Sequence, residues 1–319
     1  MTLTEAIALR RSHRTFNGLR LDRITLGRLR DAIGGSRPLL PDADIPFVGI
    51  INSDNGTADG QLGTYGFIKG ARQFLVMAVG SGVAAHVQAG YMLEQTILEA
   101  TRLGLSTCWL GGTFHRGPFA QALGPCGDRT VEIVVPVGHV ATRMRMSERL
   151  MRRIVHADQR RKFDSLFTIS PSLSTRLPYS AFTSTLLLDT AVSAATVPSV
   201  ISAASSSYAE SATSPTHDGD EATASTPCDS QRILCATVKA LKAVRLAPSS
   251  SNSQPWRATV TENPDCTIKV AFTCTTDNRF SAIEMGIAYC HFTSILDESN
   301  LPWAIGSTAS LPALTFTVG

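Results

Sequence analysis

Apolar residues recur at helical spacing in five stretches of the chain. Leu3, Ile7 and Ala8 set the first, over residues 2–13, and Leu26 to Ile33 repeats the pattern. The strongest runs from Gln88 to Leu103, with Tyr91, Leu93, Ile97, Leu98 and Ala100 as its apolar set and Gly104 placed to end it. Residues 233–246 turn Leu234, Val238, Leu241 and Val244 inward, and residues 282–296 carry Met285, Ile287, Ala288 and Phe292. Between these helices lie unbroken apolar runs that read as buried strands: residues 71–79, a short one at 105–110, and 131–137. Residues 257–260 and 267–272 read as the two arms of a hairpin. Helices interleaved with strands in this order predict an α+β or α/β fold.

The periodicity lapses between residues 168 and 230, where Ser, Thr and Ala dominate and aromatics nearly vanish. Such a segment cannot bury enough apolar surface to offset its ordering entropy. It is expected to be a disordered insertion, with a transient helix at 181–201, separating a first unit (1–167) from a shorter second one (231–319). Bulk properties exclude several function classes. A net charge of +3 on 319 residues does not suit a nucleic-acid binder. The basic run from Arg143 to Lys162 has no interleaved aromatics beyond its edge, and its expected use is local. Seven cysteines form no CxxC or Cys/His cluster, so no metal is expected, and free thiols point to a reducing compartment. No apolar run reaches the roughly 18 residues of a membrane span. A cytoplasmic protein is expected; the arginine-rich first sixteen residues also fit a mitochondrial leader.

Candidate chemistry is concentrated in a few short motifs. Arg10, Arg11, Ser12 and Arg14, read as the opening turns of a helix, offer forked cationic donors and a hydroxyl, a set that suits a phosphate. Ala247 to Trp256 (APSSSNSQPW) is a turn of small hydroxyl and amide side chains that lets a planar ligand approach the backbone. Leu110, Gly111 and Gly112 follow a strand. Tyr65, Gly66 and Lys69 form a middle segment, and Arg161 with Lys162 a late basic pair. Cys108 lacks a neighbouring base and reads as core, as do His139 and His291. No GxGxxG opens a helix after a strand, and no triad or carboxylate pair appears.

Together RRSxR, LGLSTCWLGG behind a long helix, PVGH, RRK and APSSSNSQPW resemble the nitroreductase family. More narrowly they resemble its fused single-chain branch, labelled putative TM nitroreductase. The resemblance covers about residues 5–167 and 233–295. It implies an α+β sandwich built as a pseudo-dimer of two unequal halves in one chain. FMN would lie between the halves, its phosphate on the arginine motif and its ring against the PSxxNxQPW turn. The QPW element comes last here, so the first half would have lost its turn and the second its arginines, leaving one complete site.

Residue by residue, the resemblance places Arg10, Arg11, Ser12 and Arg14 on FMN, with Arg14 nearer the pyrimidine edge of the ring, where a cation stabilises the charge gained on reduction. Pro248, Ser249, Ser250 and Asn252 would touch the flavin from the other half, while Gln254, Pro255 and Trp256 lock the turn. Leu110, Gly111 and Gly112 would bring a backbone N–H to the flavin N5, and Arg161 and Lys162 would complete the phosphate site. Tyr65 and Lys69 would lie along the flavin. Arg14 and Gly112 are the expected catalytic positions. The implied chemistry is ping-pong hydride transfer from NAD(P)H through the flavin to a nitroaromatic, quinone or similar small-molecule acceptor. A monomer would suffice, because the dimer interface is internal. Two alternatives stay open: a flavin-binding or flavin-free interaction protein without turnover, motivated by the short second half, and a dehydrogenase- or dehalogenase-type relative.

Overall fold

A computed structural model describes residues 1–55, 62–178, 181 and 227–319. The first half contributes α1 (Leu3–Leu9), α2 (Arg23–Gly34), β1 (Phe47–Asn52), β2 (Gln73–Val79), α3 (Val83–Arg102), β3 (Ser106–Thr107), α4 (Arg116–Leu123) and β4 (Thr130–Gly138). A connecting region follows with α5 (Met146–Ile154), α6 (Phe163–Leu166), β5 (Phe167–Ile169) and α7 (Pro171–Ser174). The second half contributes α8 (Pro227–Val244), β6 (Trp256–Glu262), β7 (Ile268–Cys274), α9 (Ser281–Glu298), β8 (Trp303–Ile305) and β9 (Thr315–Val318).

Two sheets carry the same internal order. The first runs β1-β2-β4-β3, the second β6-β7-β9-β8, all antiparallel. In both, the long central helix, α3 or α9, connects the second strand of the order to the short edge strand. This is the pseudo-dimer expected from the resemblance. The second sheet has one addition: β5, from the tail of the first half, pairs in parallel with β6 at its edge. The halves are thus strapped together by backbone hydrogen bonds as well as by core.

That core lies where α3 and α9 cross. Both helices are buried over most of their length, against Leu75, Met77 and Val135 on one side and Phe272, Phe316 and Trp256 on the other. The crossing is so close that glycine is required in each helix. A Cβ on Gly90 would sit 2.1 Å from the Ile283 carbonyl oxygen, and one on Gly286 would sit 2.0 Å from that of Val87. Each glycine faces the residue three positions before the other, the reciprocal contact of a two-fold axis.

Several sequence expectations need correction. The first helix stops at Leu9, so the arginine motif is not helical. Thr2 and Glu5 form a capping box that fixes its start. Beyond Arg10 the chain is extended because its backbone pairs with neighbours: His13 N–H with Thr107 O, Phe16 N–H with Lys69 O and Asn17 N–H with His139 O. The strand expected over 105–110 shrinks to two residues, with Leu110 bridging Val134 separately. Residues 168–178, assigned to the insertion, include the end of β5 and all of α7, and the helix expected from 233 begins at Pro227. The rest of the insertion, apart from Ala181, lies outside the described residues. β8 and β9, absent from the sequence expectations, give the second sheet four strands in the order of the first. His139 is exposed, whereas His291 is buried as expected. The six described cysteines are free thiols, Cys108 and Cys290 among them buried. Among the described residues no helix is long and apolar enough to cross a membrane, and no His, Cys, Asp and Glu cluster could hold a metal.

The crossing generates a direct test. Gly90→Ala and Gly286→Ala are each expected to lower unfolding free energy by about 3 kcal/mol, since backbone rather than a flexible side chain blocks the added methyl. Gly27→Ala in α2, where a Cβ meets nothing within 4 Å, is expected to raise it by up to about 1 kcal/mol. Urea unfolding of the three variants checks both signs.

Candidate active site

A cavity of 490 Å³ opens between the halves, within the size range of small-molecule sites. The first half supplies the extended Arg10–Arg14 segment and the Trp109–Thr113 loop; α5 and the loop after it close one end. The second half supplies Pro248–Asn252 and the opening turns of α9, including Phe280, Ile283, Glu284 and Ile287. Neither half encloses the space alone.

One end is crowded with guanidinium groups: Arg10, Arg11, Arg152 and Arg160. Arg10 is 4 % exposed, its Nε has no hydrogen-bond partner, and it lies 3.7 Å from Glu94 Oε1. Glu94 is fully buried; it also accepts from the Trp109 indole N–H at 2.9 Å and meets His291 Nε2 of α9 at 2.9 Å. That carboxylate therefore links the cation end, the wall residue Trp109 and the helix crossing. Arg11 donates to Ala8 O at 2.6 Å at the end of α1. Arg152 donates to Ser12 O at 3.0 Å and pairs with Asp158. Burial holds Arg10, Arg11 and Arg160 below the usual guanidinium value; Arg160, pressed further by Arg10 and Arg11, falls to about 10. Like charges that depress one another, with buried donors unspent, form a site that gains from an anion.

The opposite wall is a strained turn. Ser251, Asn252 and Gln254 all hold positive φ (49°, 58° and 50°), a left-handed conformation costing roughly 1–3 kcal/mol for each non-glycine residue. Side chains hold it there. Asn252 Nδ2 donates to His156 O at 2.7 Å and to Gln159 O at 3.0 Å, and its Oδ1 accepts from Arg160 at 3.0 Å. Gln254 Oε1 accepts from Arg161 N–H at 2.9 Å, and Ser249 Oγ from Gln254 N–H at 2.9 Å. Pro255 O takes two bonds from Thr275, and Trp256 is fully buried at the start of β6. Gln254, Pro255 and Trp256 anchor the turn, as the sequence reading expects.

The third wall explains a glycine. A Cβ on Gly111 would lie 2.4 Å from the Phe280 ring, which belongs to the other half, while at Gly112 the nearest atom is 3.8 Å away. Arg279 bonds to Gly111 O and lies over the Phe280 ring, 4.4 Å from its centroid to the guanidinium carbon. Beside Phe280, Glu284 is 3 % exposed. Its Oε1 accepts from Ser250 N–H at 2.6 Å and its Oε2 has no partner. Burial pushes this carboxyl up to about 7, against the pull of the Ser250 N–H.

The structure gathers most of the expected residues in this one cavity: Arg10, Arg11, Ser12 and Arg14 on one wall, Pro248, Ser249, Ser250 and Asn252 on another, and Leu110, Gly111 and Gly112 on a third. Four others do not line it. Tyr65 is 58 % exposed against His115, and Lys69 is exposed, its backbone paired with Arg14 and Phe16. Arg161 and Lys162 are also exposed, because Arg161 turns its backbone to Gln254 and Lys162 caps α6; Arg160, one residue earlier, takes the cavity position. Sequence reasoning missed Arg152, Arg160, Trp109 and Glu284. For Arg160 the signal was present in the RRK run and misread by one residue. Asn252→Ala removes three bonds that hold the halves together at the turn. It is expected to cost about 2 kcal/mol in urea unfolding, while Ser251→Ala, whose side chain makes none, costs much less.

The family Putative TM nitroreductase matches residues 2–175 and 221–295 of this chain. None of the curated proteins matches it. Among solved structures, a putative nitroreductase from Thermotoga maritima is similar over 100 % of this chain and 93 % of its own, with a TM-score of 0.53 and 16 % identity. A nitroreductase with bound FMN from Bacteroides fragilis aligns with 44 % of this chain and 88 % of its own, at TM-score 0.36 and 20 % identity. A further one with bound FMN, from Desulfitobacterium hafniense, covers 45 % and 92 %, at TM-score 0.36 and 21 % identity. The family match spans most of the chain, the shared fold runs its full length, and the cavity joins the family's motifs from both halves: this chain belongs to the Putative TM nitroreductase family.

Proposed function

We propose that the chain is an FMN-dependent oxidoreductase of nitroreductase type that uses NAD(P)H. The observation that carries this reading is the pairing of an arginine end and a glycine–aromatic wall in one cavity shared by both halves. The residues fit the group. A phosphate suits Arg10, Arg11, Arg152 and Arg160, whose crowding an anion relieves. A flat ring suits the space beside Gly111, Trp109 and Phe280, and the orphaned Arg14 Nε is a further buried donor. Bound there, FMN would supply the redox chemistry between NAD(P)H as donor and a nitroaromatic, quinone or similar acceptor, the two using the site in turn.

The chain's own residues bind, orient and charge-balance. Arg10 and Arg160 hold positive charge where water is scarce, and Glu94 keeps Arg10 and Trp109 in place. The strained turn presents Ser249 and Ser250 from the second half, its conformation fixed before any ligand arrives, which lowers the entropic cost of binding. Arg14 is a fixed cation suited to charge developing on a reduced ring. No general acid or nucleophile is needed for such transfer. Both walls come from one chain, which supports a working monomer. The four-strand second sheet also supports an enclosed site rather than a remnant too open to hold its cofactor.

The reading is tested by adding NADPH or NADH anaerobically to FMN-loaded protein. The flavin absorbance is expected to bleach with at least one donor and to return when a nitroaromatic or quinone is added; a bound flavin that neither donor bleaches contradicts the enzyme reading. Arg14→Ala is expected to weaken FMN binding about ten- to a hundredfold, the loss of one or two charge-assisted bonds, measured by fluorescence titration.

A further inference from the structure

The two halves treat one helix position differently. Glu284 stands two residues before Gly286 in α9; Gln88 stands two residues before Gly90 in α3. Because the glycines mark the pseudo-two-fold, these side chains are counterparts. Both do the same structural work. Gln88 Oε1 accepts the N–H groups of Leu39 and Leu40 at 2.9 and 3.0 Å, in the chain leading to β1. Glu284 Oε1 accepts that of Ser250 at 2.6 Å, in the turn leading to β6. An amide is therefore enough to hold such a turn. What a carboxyl adds at 284 is a second oxygen and a proton.

That second oxygen is unspent. Glu284 lines the cavity and is 3 % exposed, and its Oε2 is a buried atom without a hydrogen-bond partner. Among the described residues it forms no ion pair, although five arginines line the same cavity. A buried carboxylate with one oxygen unpartnered is costly, and the neutral acid is the favoured form. A neutral acid is also the better partner here: it donates a hydrogen bond, whereas a carboxylate would face the acceptor atoms and negative charge of a flavin phosphate compound.

Resting on the flavin reading above, we propose that Glu284 is a titratable cofactor contact, whose protonated Oε2 donates a hydrogen bond to bound flavin and whose ionisation weakens flavin binding. The carboxyl stays neutral up to about pH 7, well above the usual 4.5, so affinity is steady below that and falls above it. The other charged groups that line the cavity are Arg10, Arg11, Arg14, Arg152 and Arg160. Burial lowers Arg10, Arg11 and Arg160, the last to about 10, which lies above this range. Behind the arginine segment, burial holds His13 below its ordinary 6.5 and pushes the Cys108 thiol above its ordinary 9.0. The second ionisation of a phosphate ester, at about pH 6, also lies below the window.

The test is FMN binding to the full-length apoprotein between about pH 7 and 9, for the wild type and Glu284→Gln, followed by fluorescence and by calorimetry in buffers of different ionisation enthalpy. Gln88 shows that the amide can keep its turn, so E284Q is expected to fold with an unchanged melting temperature. Wild-type Kd is expected to rise by up to about tenfold per pH unit, with uptake of up to one proton on binding. E284Q is expected to give a flat profile without uptake. Identical profiles for the two proteins, or wild-type binding without proton uptake, would overturn the proposal. Absence of FMN binding to either protein would instead remove the flavin reading itself, and this inference with it. Proton uptake is measured on the wild type alone, so the proposal remains open to refutation even if the variant misfolds.

Discussion

The fold depends on two helices that approach until only glycine fits between them. With a Cβ at Gly90 or Gly286, backbone would meet side chain at about 2 Å, and α3 and α9 would have to part. Everything at the site hangs from that crossing. Glu284 and Ile283 lie within one turn of it on α9, Gln88 on α3, and Glu94 one turn further along α3 meets His291 of α9. Separating the helices would pull Phe280 from Gly111 and would open the cavity along its length. The close approach also brings the halves together without a large apolar ridge between them, leaving room for a ligand above.

Against this rigid frame the cavity is energetically unsatisfied. Its arginines lower one another's proton affinity, buried donors on Arg10, Arg14 and Arg160 are unmet, and three left-handed residues sit in one turn. Such costs are tolerated where the surrounding structure over-determines the conformation, here through Asn252, Gln254 and the anchoring of Trp256. An anionic, planar, acceptor-rich ligand answers the crowded charge and the unmet donors at once. The same preorganisation is what a cofactor-based enzyme needs, since its protein supplies orientation and charge rather than reactive groups.

Much of this was legible in the sequence, for definite reasons. Long helices with apolar residues at helical spacing, and strands with apolar runs or alternation, announce themselves by period, so α3, α9, β2, β4 and the β6–β7 hairpin stand close to where they are expected. Short edge strands do not: β8 has three residues and β9 four, set among turns, and tertiary pairing rather than local pattern creates them. The arginine motif was identified by composition but given the wrong conformation, because the pairing of His13, Phe16 and Asn17 with distant strands leaves no local trace. Glu284 was invisible for a different reason. A single acid in an apolar helix carries no motif, and its meaning appears only when Gln88 is seen to occupy the matching place. Arg160 stood beside the residues chosen, and only the turn of the backbone at Arg161 decides between them.

The pseudo-symmetry is exact enough in topology to make its breakdown informative. Where the second half has Ser249 and Ser250 in its turn, the first has Leu39 and Leu40, both buried and apolar. We therefore infer a single composite site per chain, built by both halves of one molecule. Flavin stoichiometry combined with molar mass in solution tests it most directly: the absorbance of reconstituted protein, the flavin released on denaturation, and light scattering on the same sample. A single FMN for each chain, retained by the monomer, is the expected result. Two per chain, one shared between two chains, or a protein that stays colourless with excess FMN would contradict it.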